Sequence, residues 1–90
     1  MATVRIPPML RAQTGGKDTL EVPGGTVAEV LARVAADHPD LGERMYKNGE
    51  LQRFLNIYLN DEDVRYLDHE LNEPVKETDE IAIIPNVAGG

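Results

Sequence analysis

The alternation of apolar and polar residues divides the chain into short extended segments around one helix. In "TVRI", Val4 and Ile6 share one face and Arg5 takes the other, so residues 2–6 read as a strand that Pro7-Pro8 stops. The stretch "TGGKDTLEV" turns at Gly15-Gly16 and then alternates again. Leu20 and Val22 face inward and Thr19 and Glu21 outward, giving a β-hairpin with a long loop. After a "PGG" turn, "TVAEVLARVAADHP" is the clearest helix. Val27, Val30, Leu31, Val34 and Ala35 form one continuous apolar stripe, Thr26 and Glu29 have the spacing of a capping box, and Pro39 disfavours helix at His38.

Beyond the helix, "DLGERMY" reads as a short helical turn carrying Leu41 and Met45. "RFLNIYLN" alternates strictly, with Leu55, Ile57 and Leu59 on one face and Phe54, Asn56 and Tyr58 on the other. "NDED" (60–63) reads as a turn, "VRYL" as a short returning strand, "LNEPV" as irregular or 3₁₀, and "ETDE" as a turn. "IAII" (81–84) is apolar on both faces and therefore reads as a central strand. The order β-β-α-β-β-β predicts a two-layer α+β domain in which one helix covers one face of a mixed sheet of four or five strands. With the first and last strands parallel at the centre, this is the β-grasp, or ubiquitin-like, arrangement. Pro85 should end the last strand, so the expected division is a domain over 1–85 and a flexible tail over 86–90.

Composition narrows the chemistry. Ninety residues, 41% hydrophobic, suffice for one core. Cysteine and serine are both absent, which removes disulfides, thiolate metal sites and the usual Ser or Cys nucleophiles. His38 and His69 are the only imidazoles and lack a zinc-binding spacing, so no metal site is expected. The formal charge of −7 argues against a nucleic-acid partner and suits one with a basic surface. No apolar run approaches membrane-spanning length, and "MATVRIPP" has no signal-peptide core. The expectation is a cytoplasmic monomer that binds neither membrane nor nucleic acid.

Three motifs fail on inspection. "GGKD" would need a glycine at position 11 and Ser or Thr at 18 to be a phosphate loop, but these are Arg11 and Asp18. The acids Asp61, Glu62 and Asp63 are contiguous, whereas a calcium loop alternates them. Scattered carboxylates offer no distinctive acid–base pair, so no conventional active site is expected. Phe54 and Tyr58 leave two readings open: an exposed, partner-binding pair, or a small satellite core under the 40–53 loop.

The ending "PNVAGG" is the remaining feature. Six extended residues reach roughly 20 Å, and Gly89 and Gly90 lack the Cβ that would bar them from a narrow channel. Val87, Ala88 and Gly89 would thread such a channel and present the Gly90 carboxylate, the one group with a distinct reaction available. Taken alone, the same ending also reads as a frayed terminus or a cloning remnant.

A β-grasp domain ending in Gly-Gly resembles the ubiquitin-like sulfur carriers of the MoaD/ThiS family over essentially the whole chain. "RFLNIYLNDEDVRYL" (53–67) and "IIPNVAGG" (83–90) look most similar to its CysO-type branch, which serves cysteine biosynthesis. "GGTVAEVLARV" and "IPPMLRAQTGG" add to the resemblance. Asn86 departs from it, standing where a small apolar residue is expected.

The resemblance implies a carrier and co-substrate, not an enzyme. No bound cofactor is implied. An E1-like enzyme would use ATP to join AMP to the Gly90 carboxylate, and sulfide or persulfide sulfur would displace AMP to leave a thiocarboxylate. That group would give its sulfur to an acceptor enzyme: a pyridoxal-phosphate-dependent cysteine synthase, with a metallopeptidase acting afterwards, or enzymes making molybdopterin, thiamin or another sulfur metabolite. Lacking cysteine, the carrier cannot intercept its own activated end. Two other readings remain: a ubiquitin-like modifier joined through Gly90 to target lysines, and an interaction domain with an idle tail.

Overall fold

In the computed structural model, which describes residues 1–86, β1 (Ala2–Arg5), β2 (Thr19–Val22), β5 (Leu55–Leu59), β6 (Glu62–Asp63) and β7 (Glu80–Pro85) form one sheet in the order β2-β1-β7-β5-β6. β7 is central. It runs parallel to β1, with Val4 beside Ile81, and antiparallel to β5, with Ile57 opposite Ile83. The mixed five-stranded sheet and the helix on one face make a β-grasp, as the apolar pattern predicts.

The helix α1 (Val27–Asp37) forms because both ends are specified. Thr26 accepts the Glu29 N–H at 3.2 Å, and the Glu29 carboxylate accepts the Gly25 N–H at 2.8 Å. The capping box is therefore present, with the carboxylate reaching one residue further back than the motif strictly requires. Val27, Val30, Leu31 and Val34 are buried against Val4, Ile57, Ile81 and Ile83 in one core. The predicted helical turn after His38 is a full helix, α2 (Pro39–Met45), with Pro39 in the first turn where its missing N–H costs nothing. Leu41 and Met45 are fully buried. The two helices approach closely at Gly42, where a Cβ would lie 2.9 Å from the Ala35 Cβ.

Several local expectations are corrected. The long hairpin loop contains 3₁₀ turns over Pro8–Thr14, closed by Gly15 at φ 69°. A two-residue hairpin, β3 (Tyr46–Lys47) and β4 (Glu50–Leu51), fills part of the supposed 40–53 loop, with Asn48 and Gly49 at positive φ between them. "VRYL" is not the returning strand. That strand is Glu62–Asp63, because Asn60 and Asp61 adopt φ 50° and 71° and close a tight turn immediately after β5. Asp63 then accepts the Arg65 N–H at 3.0 Å and turns Val64–Tyr66 into a 3₁₀ segment. "LNEPV" includes a 3₁₀ turn at Glu70–Asn72, as expected. The central strand is not covered on both faces: Ile81 and Ile83 are buried, but Ile84 is 44% exposed.

Candidate functional site

Both ends of β7 are fixed. At its start, the Asn60 side chain accepts the Glu80 N–H at 2.9 Å and donates to Asp79 at 3.0 Å, while the Asn60 N–H donates to the Glu80 carbonyl at 2.9 Å. Asp79 also accepts the Lys76 N–H at 2.8 Å. The Lys76 N–H and the Asn60 amide favour the charged carboxylate and hold its pKa below the ordinary value. At the far end, the Asn86 N–H donates to the Phe54 carbonyl, extending the ladder one residue past the strand.

That ladder explains the proline. Residues 80 and 86 bond to β5, so by the alternation of an antiparallel pair 82 and 84 do too, and 81, 83 and 85 point their backbone toward the β1 side. β1 pairs with β7 only as far as Ala82. Pro85 therefore lacks an N–H at a position where, among the described residues, no neighbouring strand would receive it.

Opposite the helix, the outer face of the sheet carries Tyr58 across from Ala82, and Ala82 beside Arg5. Asn56 lies across from Ile84. Arg5 pairs with Glu80 at 3.6 Å in solvent. Pro8 and Met9 of the 3₁₀ segment wall a groove along Ala82, Ile84 and Pro85. Met9, Ile84 and Phe54 are 57%, 44% and 38% exposed, so apolar surface surrounds the point where the chain leaves β7.

Of the predicted site residues, Tyr58 is half-buried on this outer face, and Phe54 sits in the turn before β5, exposed, with its carbonyl on Asn86. Neither is among the side chains packed against the core. Val87, Ala88, Gly89 and Gly90 lie outside the described residues. His38 is the half-buried junction between the helices, and His69 is exposed. Asp61, in the β5–β6 turn, and Glu62, the first residue of β6, are exposed, whereas the Asp63 side chain is largely covered and holds Arg65 at 2.7 Å. The Arg65 hydrogen bond lowers the Asp63 pKa. Among the described residues, no group of three or more His, Cys, Asp and Glu could hold a metal ion, and no helix is long and apolar enough to cross a membrane. Sequence reasoning missed Ile84, Ala82 and Met9. Ile84 was legible, since it has opposite parity to the buried Ile81 and Ile83. Met9 was not, because no periodicity marks a 3₁₀ turn.

The arrangement, a β-grasp scaffold with an apolar outer face at the exit of its central strand, defines a ubiquitin-like protein. The ThiS family profile matches residues 4–90, and the chain belongs to that family. It is 40% identical over 91 residues to the sulfur carrier protein CysO of Mycobacterium tuberculosis, covering 98% of this chain and 97% of that one. A chain in the crystal structure of the Amycolatopsis orientalis BexX/CysO complex superposes with a TM-score of 0.87 at 43% identity, with full coverage of both chains. The solution structure of small archaeal modifier protein 1 from Methanosarcina acetivorans has a TM-score of 0.87 at 29% identity, covering 99% of this chain and 95% of that one. The protein is thus a small carrier of the sulfur-carrier family and not an enzyme.

Proposed function

We propose that the chain carries sulfur as a thiocarboxylate on Gly90. Residues 1–85 act as the folded carrier and 86–90 as the arm, with Val87, Ala88 and Gly89 threading into the partner enzymes. In this reading the Gly90 carboxylate oxygen attacks the α-phosphorus of ATP in an E1-like enzyme, and pyrophosphate leaves. Sulfide then adds to the acyl-adenylate carbonyl, and AMP leaves. AMP and sulfur are transient covalent passengers. The observation that carries the proposal is the family match running through residue 90, supported by 40% identity to a sulfur carrier over nearly the whole chain.

The sulfur acceptor in this reading is an aminoacrylate on a pyridoxal-phosphate-dependent cysteine synthase. An acyl shift between sulfur and nitrogen follows, and a metallopeptidase then releases the new residue. These encounters take place in the cytoplasm, with the carrier as a monomer. The outer face, with Phe54, Tyr58 and Ile84, docks the activating enzyme, and the tail reaches its nucleotide. The CysO of Amycolatopsis orientalis crystallised in complex with BexX, which supports a carrier that works by docking.

Intact-mass measurement of protein from its native host tests the chemistry. Exchange of one terminal oxygen for sulfur is expected. Carboxylate alone, with the activating enzyme present, would overturn the proposal. A second reading, conjugation through Gly90 to target lysines, is favoured by the likeness to the archaeal modifier protein. Diglycine remnants on lysines of other proteins would identify it, and their absence under conditions of full activation would remove it.

A further inference from the structure

The sheet has one edge that its own strands leave incomplete. β6 pairs only with Tyr58 and Leu59, so among the described residues Leu55–Ile57 has no neighbouring strand on the side away from β7. The ladder fixes which backbone groups are left there. Phe54 and Asn60 bond toward β7, and by alternation so do Asn56 and Tyr58. Leu55 and Ile57 must point theirs the other way. The Leu55 N–H is taken by the Gln52 carbonyl at 3.1 Å. The Tyr58–Asp63 pairing places the Val64 N–H on the Ile57 carbonyl, so the Leu55 carbonyl and the Ile57 N–H are the groups without a strand partner, facing a cleft of about 590 Å³ between β5 and the 64–72 segment.

The cleft has the other attributes of a strand acceptor. Leu51, Val64 and Leu71 give it apolar walls, and Leu51 and Leu71 are only half-buried. Its ionisable lining is Arg53, Arg65, His69 and Glu70. Arg65 already holds Asp63, while Arg53 has no carboxylate partner among the described residues. Unpaired main-chain groups at an edge select an extended backbone. Side chains of an added strand alternate between the apolar walls and the outer side, where Arg53 is exposed.

We propose that this cleft binds an extended segment of a partner protein, with apolar and acidic residues alternating, as an added strand on the open edge of β5. β5 lies between this edge and β7, so an added strand and the C-terminal arm fall on opposite sides of β5. One partner can therefore hold the added strand and the C-terminal arm together, and each contact raises the effective concentration of the other.

The test uses the full chain, labelled with ¹⁵N and titrated with a blocked heptapeptide alternating valine and glutamate. The largest amide shifts are expected at Leu55–Ile57 and Leu71, with slower solvent exchange at the Ile57 amide. N-methylation of the peptide's central amide should weaken binding about tenfold by removing a main-chain hydrogen bond. Arg53→Glu, at an exposed position, should weaken it by about threefold to tenfold, as should lysine in place of glutamate in the peptide. Four outcomes would overturn the proposal: no binding, shifts centred on Tyr58, Ala82 and Ile84, equal affinity for the lysine or N-methylated peptide, or concentration-dependent dimerisation through the same residues.

Discussion

The two faces of the sheet are built from the same strands and differ in every other respect. Inward, Val4, Ile81, Ile83, Ile57 and Leu59 meet the stripe of α1 and are excluded from water. Outward, the alternate positions are Thr3, Arg5, Ala82, Ile84, Asn56 and Tyr58, a mixture of polar, charged and apolar groups with no helix over them. One period-two pattern thus separates what holds the domain together from what it presents. Burial stabilises the inner face at about 25 cal/mol per Å² of apolar surface. The outer face gives up that stabilisation, and in the proposed reading its apolar groups are free for another protein.

Substitutions on the two faces should therefore separate stability from binding. Ile81→Ala opens a cavity at a fully buried central position and should cost about 2–5 kcal/mol in urea unfolding. Gly42→Val, at the helix crossing, forces a Cβ to within 3.0 Å of the Ala35 carbonyl oxygen, so about 1–3 kcal/mol is expected by the same measurement. On the outer face the pattern should invert. Phe54→Ala, Tyr58→Ala and Ile84→Ala should each move stability by no more than about 0.5 kcal/mol. The same variants should weaken calorimetric binding to the activating enzyme by about 1–2 kcal/mol. Unchanged affinity in all three would erase the functional half of the contrast.

The smallest expected effect comes from pH. Asp63 and Asp79 have folded-state pKa values below the ordinary carboxylate value, through Arg65 and through the Lys76 N–H and Asn60 respectively. A depressed folded pKa stabilises the fold above the unfolded value, and that stability is lost as pH falls through the folded one. Asp79 is half-buried, and the Arg65 that holds Asp63 is exposed, so the effect should be modest. Asp79→Asn should remove part of the acid sensitivity, read as a flatter dependence of the urea midpoint below the ordinary carboxylate pKa.

The main architecture was legible because its signals are long. Five stripe residues over nine positions specify α1, and alternation from Phe54 to Tyr58 specifies β5. The hairpin at 46–51 was hidden because two-residue strands cannot display a period, although Asn48-Gly49 carries the signature of a tight hairpin turn. "VRYL" looked like a strand by composition, but the Asp63 carboxylate captures the Arg65 N–H, a side-chain competition invisible to periodicity. At the candidate site, Phe54 was recognised for its ring, yet the contact the structure shows is its carbonyl on Asn86. Backbone partners follow from register, and register follows from which strands become neighbours.

The position of β7 also has a mechanical meaning. Its parallel neighbour β1 begins the chain, so a pull between the two ends of the domain slides these strands lengthwise past each other. Their bonds are then loaded together in shear, where a hairpin pulled open from one end would release them singly. Single-molecule pulling should register one abrupt rupture and no stepwise opening. In the proposed reading, an enzyme that draws on the end of this strand would tug at an element paired on both sides and loaded in shear.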